Sequence, residues 1–363
     1  MQPKNPVFGR EVNVRTYNDF IDCLRNQIVV VMKALIFEKQ GTENLRVADV
    51  EKPAPKEGEI LIKVAMAGVN PIDNMIINAI PGIKPMPHIA GAEFAGTVEA
   101  VGSSVKSAKQ GDRVAVFNRY FDGTCDMCSK GMEMLCRNGY ITGVMNNGGF
   151  AEYISVNERN AVKLPDETSW EMAASLPVAA LTPYHAINRA GLNNGESAVI
   201  LGASGNTGRF ALQFAKEQGA KVIAVSRKQS MADFGADYTV SSENAIEKIK
   251  EITKGKMADF VLNSLGEKFW NESFLMMGSN SRLATFGTLT GPQVSLDLSG
   301  VYSKHATIMG STGGSMREFK ELVSKSPRYK LKVWKKFRLE EGQAAIRALS
   351  SSDRDGRVML QIS

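Results

Sequence analysis

Two groups of residues have types and spacings that can do chemistry. Asp122, Cys125, Cys128 and Cys136 follow the pattern D-x2-C-x2-C-x7-C. Zinc accepts a carboxylate oxygen at about 2.0–2.2 Å and a thiolate at about 2.3 Å, so these four donors can close a tetrahedron with no open position. A closed site of that kind is structural, and it would tie down a loop that has little core of its own. With three of the chain's four cysteines between 125 and 136, the cluster points to a metal site in a reducing compartment rather than a disulfide framework. The second group is Gly202, Ser204, Gly205, Asn206, Thr207 and Gly208. Its Gly-x-x-Gly-x-x-Gly turn can bring backbone N–H groups close to an anion, because glycine puts no side chain in the way.

The elements around the glycines make that reading specific. An apolar run at 198–201 predicts a buried strand, and 209–218 predicts a helix. Phe210 and Phe214 fall one turn apart, as do Ala211 and Ala215, so one helix face packs on a sheet. Gly219 stops the helix and 221–225 is the next strand. Strand, glycine turn, helix and strand form the first unit of a dinucleotide-binding fold, with the helix N-terminus facing a pyrophosphate. Where such folds place an acid for a ribose 2′-hydroxyl, this chain has Ser226, Arg227 and Lys228. A hydroxyl and two cations suit a 2′-phosphate, so the expected cofactor is NADP(H).

Bulk properties frame these sites. The 363 residues suffice for two domains, with 43% hydrophobic and 23% charged residues. The formal charge of +6 is spread among acidic residues and reads as a solvated surface. No apolar run approaches the roughly 20 residues of a membrane span and no secretory signal is visible, so cytoplasm and no membrane partner are expected. Residues 1–31 read as a peripheral extension, with a short amphipathic helix over 19–27 and a lone thiol at Cys23. Residues 32–183 show many short strands between Gly, Pro and Asp turns, the pattern of a β-barrel-like domain. Residues 184–312 alternate strands and helices, with further strands at 237–240, 259–263, 282–286 and 306–309, as in a doubly wound parallel sheet. Residues 313–363 add a helix-like 339–349 and a final strand at 357–362. The basic run at 330–338 reads as a strand with one wet face, and no nucleic-acid partner is expected.

Several segments together resemble the medium-chain dehydrogenase/reductases: Gly68-Val-Asn-Pro-Ile-Asp73, Gly91-Ala-Glu-Phe-Ala-Gly96, Gly111-Asp-Arg-Val114, Leu181-Thr-Pro-Tyr184, the glycine turn and Phe286-Gly-Thr288. The resemblance runs from about Met32 to the C-terminus. It implies an α/β nucleotide domain, a mostly-β chaperonin-10-like catalytic domain to which the chain returns at its end, and an active site in the cleft between them. It also implies homodimers or homotetramers, and a nicotinamide end lined by Thr182, Asn263, Phe286, Gly287 and Thr288. Zinc-containing members hold a structural zinc with four cysteines at the spacing seen here, where Asp122 takes the first place.

The same resemblance exposes a departure. Family alcohol dehydrogenases hold a second, catalytic zinc, whose ligand positions match Asn70, Ala92 and Val178 here. Alanine and valine have no side-chain lone pair, and an amide is a poor zinc ligand. Glu93 remains, but one carboxylate cannot make an open three-ligand site. Asn70-Pro-Ile-Asp73 resembles the quinone oxidoreductases and zinc-independent enoyl reductases. Reduction of a conjugated C=C delivers charge to an enolate oxygen that hydrogen-bond donors can hold without a metal. Asn70 is the expected donor, with Asp73 orienting it or a water; alternatively the two residues cap a turn at 70–74. The expected activity is NADPH-dependent hydride transfer to a small quinone, enone or enoyl-thioester. The alternatives are a zinc-type alcohol dehydrogenase and a non-catalytic NADPH- or RNA-binding member. His88, His185 and His305 read as structural histidines.

Overall fold

The computed structural model describes residues 30–363, so the helix expected over 19–27 and Cys23 lie outside the described residues. Strand Glu59–Val69 is the hub of the antiparallel part. It pairs with Phe94–Val101, Tyr153–Asn157 and the last strand, Arg357–Gln361. Because it is covered on both faces, its burial is nearly continuous rather than alternating, with Ile60, Ile62 and Val64 wholly inside. Val31–Phe37 pairs with Arg46–Glu51 and His88–Ile89 in a separate small sheet that packs on the same core.

The second sheet is parallel and six-stranded. Its order is Tyr238–Val240, Lys221–Val225, Ser197–Leu201, Ala258–Asn263, Met277–Thr285, Thr307–Gly310. The order reverses between Ser197–Leu201 and Ala258–Asn263, and the crevice beyond their carboxyl ends is where doubly wound sheets take ligands. Helix Asn206–Glu217 starts there and buries Phe210, Ala211, Phe214 and Ala215, the face its sequence periodicity marks.

Strand ends differ from the expected ones by one residue in most cases, but Met277–Thr285 begins five residues earlier than the expected 282. Its first half carries exposed Ser279 and Asn280 and lacks the apolar run that marks a buried strand. The expected helix over 339–349 is a 3-10 turn, Leu339–Glu341, followed by helix Gly342–Ala348. The basic run forms edge strand Val333–Arg338, in which Lys335 and Lys336 are exposed and Lys336 pairs with Glu171. No helix among the described residues is long and apolar enough to cross a membrane.

Register positions the site. Val358 pairs with Val69 and Ala67 with Phe94, so Arg357 comes to lie beside Asn70, and Glu93 beside Gly68. A Cβ on Gly68 would come within 2.0 Å of Arg357 Nη2 and 2.5 Å of Glu93 Oε2. Glycine at this place leaves the room that the Arg357 and Glu93 side chains occupy.

Candidate active site and metal centre

Asn70 ends the hub strand and begins helix Pro71–Asn78, and it is 2% exposed. Its amide Nδ2 donates to Glu93 Oε2 at 2.7 Å, and its Oδ1 accepts from Arg357 Nη1 at 2.8 Å. Arg357 Nη2 also donates to Glu93 Oε2. The other oxygen of Glu93 accepts the backbone N–H groups of Val178 and Ala179 at 2.9 and 2.7 Å, offered by the wide turn Leu176–Ala180. Glu93 is therefore held by four donors, with one charge of each sign enclosed. Asn206 Nδ2, at the start of the glycine-turn helix, reaches Asn70 Oδ1 at 3.4 Å.

Asp73 does not touch the Asn70 side chain. Its carboxylate accepts the backbone N–H of Asn70 at 2.8 Å and of Ala92 at 3.0 Å, which ties the helix start to the next strand's approach. Burial pushes its carboxyl up to about 7 against the pull of these two N–H groups. The expected turn at 70–74 is thus a helix start capped by Asp73, and the Asn70 side chain is hydrogen-bonded to Glu93 and Arg357. Arg357 was not anticipated from sequence. It lies 287 positions from Asn70, and the available signal was an arginine directly before the apolar run Val358-Met-Leu360 of the last strand.

At the glycine turn, Gly202 has φ +66°, which favours glycine. A Cβ on Gly208 would stand 2.3 Å from Gly202 O, so this glycine lets the helix close on the turn. Gly205 is the N-cap of the helix. Ser204 and Thr207 are half-buried there, and Thr182 is half-buried in the first turn of Leu181–Ala190. After the second strand, Ser226 Oγ accepts the N–H of Lys228 at 2.9 Å and so shapes the turn itself. Arg227 is exposed, and neither it nor Lys228 pairs with a carboxylate among the described residues. Asn263 departs from expectation. It is wholly buried, its Oδ1 accepts the N–H groups of Leu265 and Gly266, and its Nδ2 donates to Ser273 Oγ. It shapes the loop after its strand and presents no side-chain atom to the cleft. Gly287 lets that loop approach, since a Cβ there would meet Ser264 O at 2.3 Å; Phe286 is half-buried and Thr288 exposed.

The four donors of the cysteine lobe converge, with their ligand atoms within 4.8 Å of one another. Cys125 Sγ lies 3.6 Å from Cys128 Sγ and 3.8 Å from Cys136 Sγ. Zinc–thiolate bonds of about 2.3 Å give tetrahedral sulfur–sulfur edges of about 3.8 Å, which these two sulfur spacings match. Backbone N–H groups of Arg137 and Asp122 donate to Cys125 Sγ and Cys136 Sγ. The Arg137 N–H brings the Cys125 thiol down to about 7, while burial pushes Cys128 up to about 12. All three would be thiolates together only with a cation among them, which would offset the burial that holds Cys128 protonated. Asp122 is fixed by N–H groups of Thr124 and Cys125 on one oxygen and by Asn138 at 2.6 Å on the other. These donors hold its carboxyl well below the usual range.

Comparison with known proteins assigns the architecture. The family model "Alcohol dehydrogenase GroES-like domain" matches residues 56–166, and "Zinc-binding dehydrogenase" matches 207–326. A solved thermostable alcohol dehydrogenase from Pyrobaculum aerophilum superposes with a TM-score of 0.86 at 36% identity, covering 92% of this chain and 100% of that one. The chain belongs to the medium-chain dehydrogenase/reductases. A curated NAD-dependent alcohol dehydrogenase of Sulfolobus acidocaldarius is 29% identical over 92% of this chain and 100% of its own length. An acryloyl-coenzyme A reductase of Metallosphaera sedula is likewise 29% identical, over 91% and 99%.

As a medium-chain dehydrogenase/reductase this chain is an NAD(P)H-dependent oxidoreductase, with a GroES-like part and a parallel-sheet nucleotide-binding part. Its catalytic-metal positions do not fit a metal. Ala92 and Val178 offer backbone N–H groups, which are donors and not ligands, and these go to Asp73 and Glu93. Among the described residues, the group of His, Cys, Asp and Glu donors that converges is the cysteine lobe. Of the histidines, His88 is buried with Nε2 at 3.2 Å from Gly143 O and its ring edge-on to Phe37, while His185 pairs with Glu318.

Proposed function

We propose that this chain is an NADPH-dependent reductase that delivers hydride to the β-carbon of an α,β-unsaturated carbonyl compound without a catalytic metal. The observation that carries the proposal is the enclosed Asn70–Glu93–Arg357 cluster at the place of the family's metal ligands. Arg357 polarises the Asn70 carbonyl, which makes the amide a stronger donor. Glu93 takes one amide hydrogen, and the second is the donor for an enolate oxygen. NADPH, when bound, supplies the hydride. The α-carbon then takes its proton from solvent, since the segment 75–87, where some related enoyl reductases carry a tyrosine proton donor, contains no tyrosine. The glycine turn and the helix N-terminus receive the pyrophosphate, and Ser226, Arg227 and Lys228 receive the 2′-phosphate. Asp122, Cys125, Cys128 and Cys136 hold a structural zinc that takes no part in turnover.

The acryloyl-coenzyme A reductase relative supports C=C reduction, whereas the relative from Sulfolobus acidocaldarius favours NAD-dependent alcohol oxidation as the second reading. The two part in one experiment. NADPH oxidation is followed with quinones, enones, enoyl-thioesters, aldehydes and ketones, with and without chelator. Enone or thioester reduction that survives chelation supports the proposal. Aldehyde or ketone reduction that is fastest and is lost on chelation replaces it with the alcohol dehydrogenase reading.

A further inference from the structure

A cavity of about 620 Å³ lies between the cysteine lobe and the segment that follows the last strand of the parallel sheet. Neither Asn70, Glu93 and Arg357 nor the glycine turn lines it. One wall is apolar: Met134 is buried, and Met132 and Leu135 remain 44% and 48% exposed although they are large hydrophobic side chains. The facing wall carries Arg189 and Arg317, both exposed. Arg189 donates to Gly310 O, and neither arginine pairs with a carboxylate among the described residues. Between the walls sits Ser311, whose Oγ is buried and has no hydrogen-bond partner.

The polar groups of this cavity differ in how far they are committed. Glu318 is its carboxylate, and it is fully committed. Oε2 accepts from His185 Nδ1 at 2.8 Å and from Ser315 N and Oγ at 2.9 Å, and Oε1 accepts from Asn188 at 3.3 Å. Since an ionised carboxylate only accepts, Nδ1 of His185 carries the proton and Nε2 is left for a ligand. Behind the wall, Arg119 donates to Met134 O and Thr312 Oγ1. It is a further guanidinium with no carboxylate partner among the described residues, and its Nε is buried without a partner. Buried polar atoms are nearly always paired, and Ser311 Oγ in the lining and Arg119 Nε behind it are exceptions. Two guanidiniums, Arg189 and Arg317, stand against one carboxylate in the lining, Glu318, whose oxygens already accept from His185, Ser315 and Asn188, so the cavity favours an anion, and the methionine–leucine wall selects an aliphatic body beside it.

We infer that this cavity binds an amphipathic anion, a carboxylate or phosphate headgroup between Arg189, Arg317 and Ser311 with an aliphatic chain on Met132, Met134 and Leu135. The inference does not depend on which reaction the enzyme catalyses.

Calorimetric titration of the full chain tests it with hexanoate, hexyl phosphate, 1-hexanol and hexylammonium. Hexanoate or hexyl phosphate should bind saturably, and hexanol at least about tenfold more weakly, the factor expected for losing one charge-assisted hydrogen bond. The stronger of the two anions identifies the headgroup. Arg317→Glu and Arg189→Glu should each weaken anion binding about tenfold or more, and Ser311→Leu should block it by filling the cavity, while NADPH titrates normally into all three variants. Equal affinity for hexanol or hexylammonium overturns the inference, as does anion binding that is unchanged in the variants, or no saturable binding. A concentration-dependent dimer that Arg317→Glu disrupts, with no anion binding, also overturns it and assigns the wall to a second copy.

Discussion

Asn70 illustrates how little room for change is left to an amide held at both its oxygen and its nitrogen. Its oxygen takes Arg357 and its nitrogen takes Glu93, so rotating the amide would set N–H against guanidinium and oxygen against carboxylate. Asn70→Ala is expected to lower kcat for an enone or enoyl-thioester by about 10²-fold, as for loss of one oxyanion donor, with NADPH affinity retained. Stopped-flow turnover and cofactor titration separate the two effects; loss of cofactor binding alone would refute the assigned role. Arg357→Met leaves Glu93 as a buried unpaired charge and should cost about 3–5 kcal/mol in denaturant unfolding, while adding Glu93→Gln should recover part of it. From sequence, Asn70 and Asp73 stood out because they sit in a local motif. Arg357 did not, because its partner is set by strand register and not by spacing.

At the scale of elements, the cysteine lobe and helix Met316–Lys325 each carry a measurable dependence. The lobe's short helix Asp126–Ser129 has no buried residue, so a metal held by its four donors would take the place of a core. Asp122→Ala should lower zinc content by metal analysis, and chelation of wild type should lower Tm; an unchanged Tm with zinc removed would refute the structural role. Helix Met316–Lys325 starts at Ser315 with a capping box through Glu318. Burial alone would raise the Glu318 carboxyl, but hydrogen bonds from His185 and Ser315 outweigh it and bring it down to about 2, from 4.5. A depressed acid contributes stability that is fully present above its unfolded value and is lost as pH falls toward 2. Unfolding between pH 5 and about 2.5 should therefore show a slope that Glu318→Gln reduces. Helix Met316–Lys325 was not among the expected elements, although Ser315 and Glu318 are only three positions apart, and its partner His185 comes from a helix 133 residues away.

Across the whole molecule, helix Asn206–Glu217 joins the two sheets. One face carries Asn206, Arg209, Gln213 and Glu217, which reach Asn70, Asp355, Lys330 and Tyr329 respectively. The opposite face packs on the parallel sheet, so the cofactor helix is also the contact with the GroES-like part. Cofactor choice belongs to this scale, because it requires the end of one strand to face the turn after another. Arg227→Asp should lower kcat/KM for NADPH about tenfold or more and raise the relative use of NADH. An unchanged NADPH:NADH ratio would remove Arg227 from the cofactor site. Local pattern in the sequence determined the glycine turn, the zinc-donor spacing and the alternation of strands and helices, since each depends on residues a few positions apart. The tertiary structure decided that Asn263 turns inward, that Asp73 grips backbone, that Arg357 closes on Glu93 and Asn70, and that unpaired arginines share a cavity with methionines. Those contacts arise from strand register and from helices packing across the two sheets, and no short-range spacing encodes either.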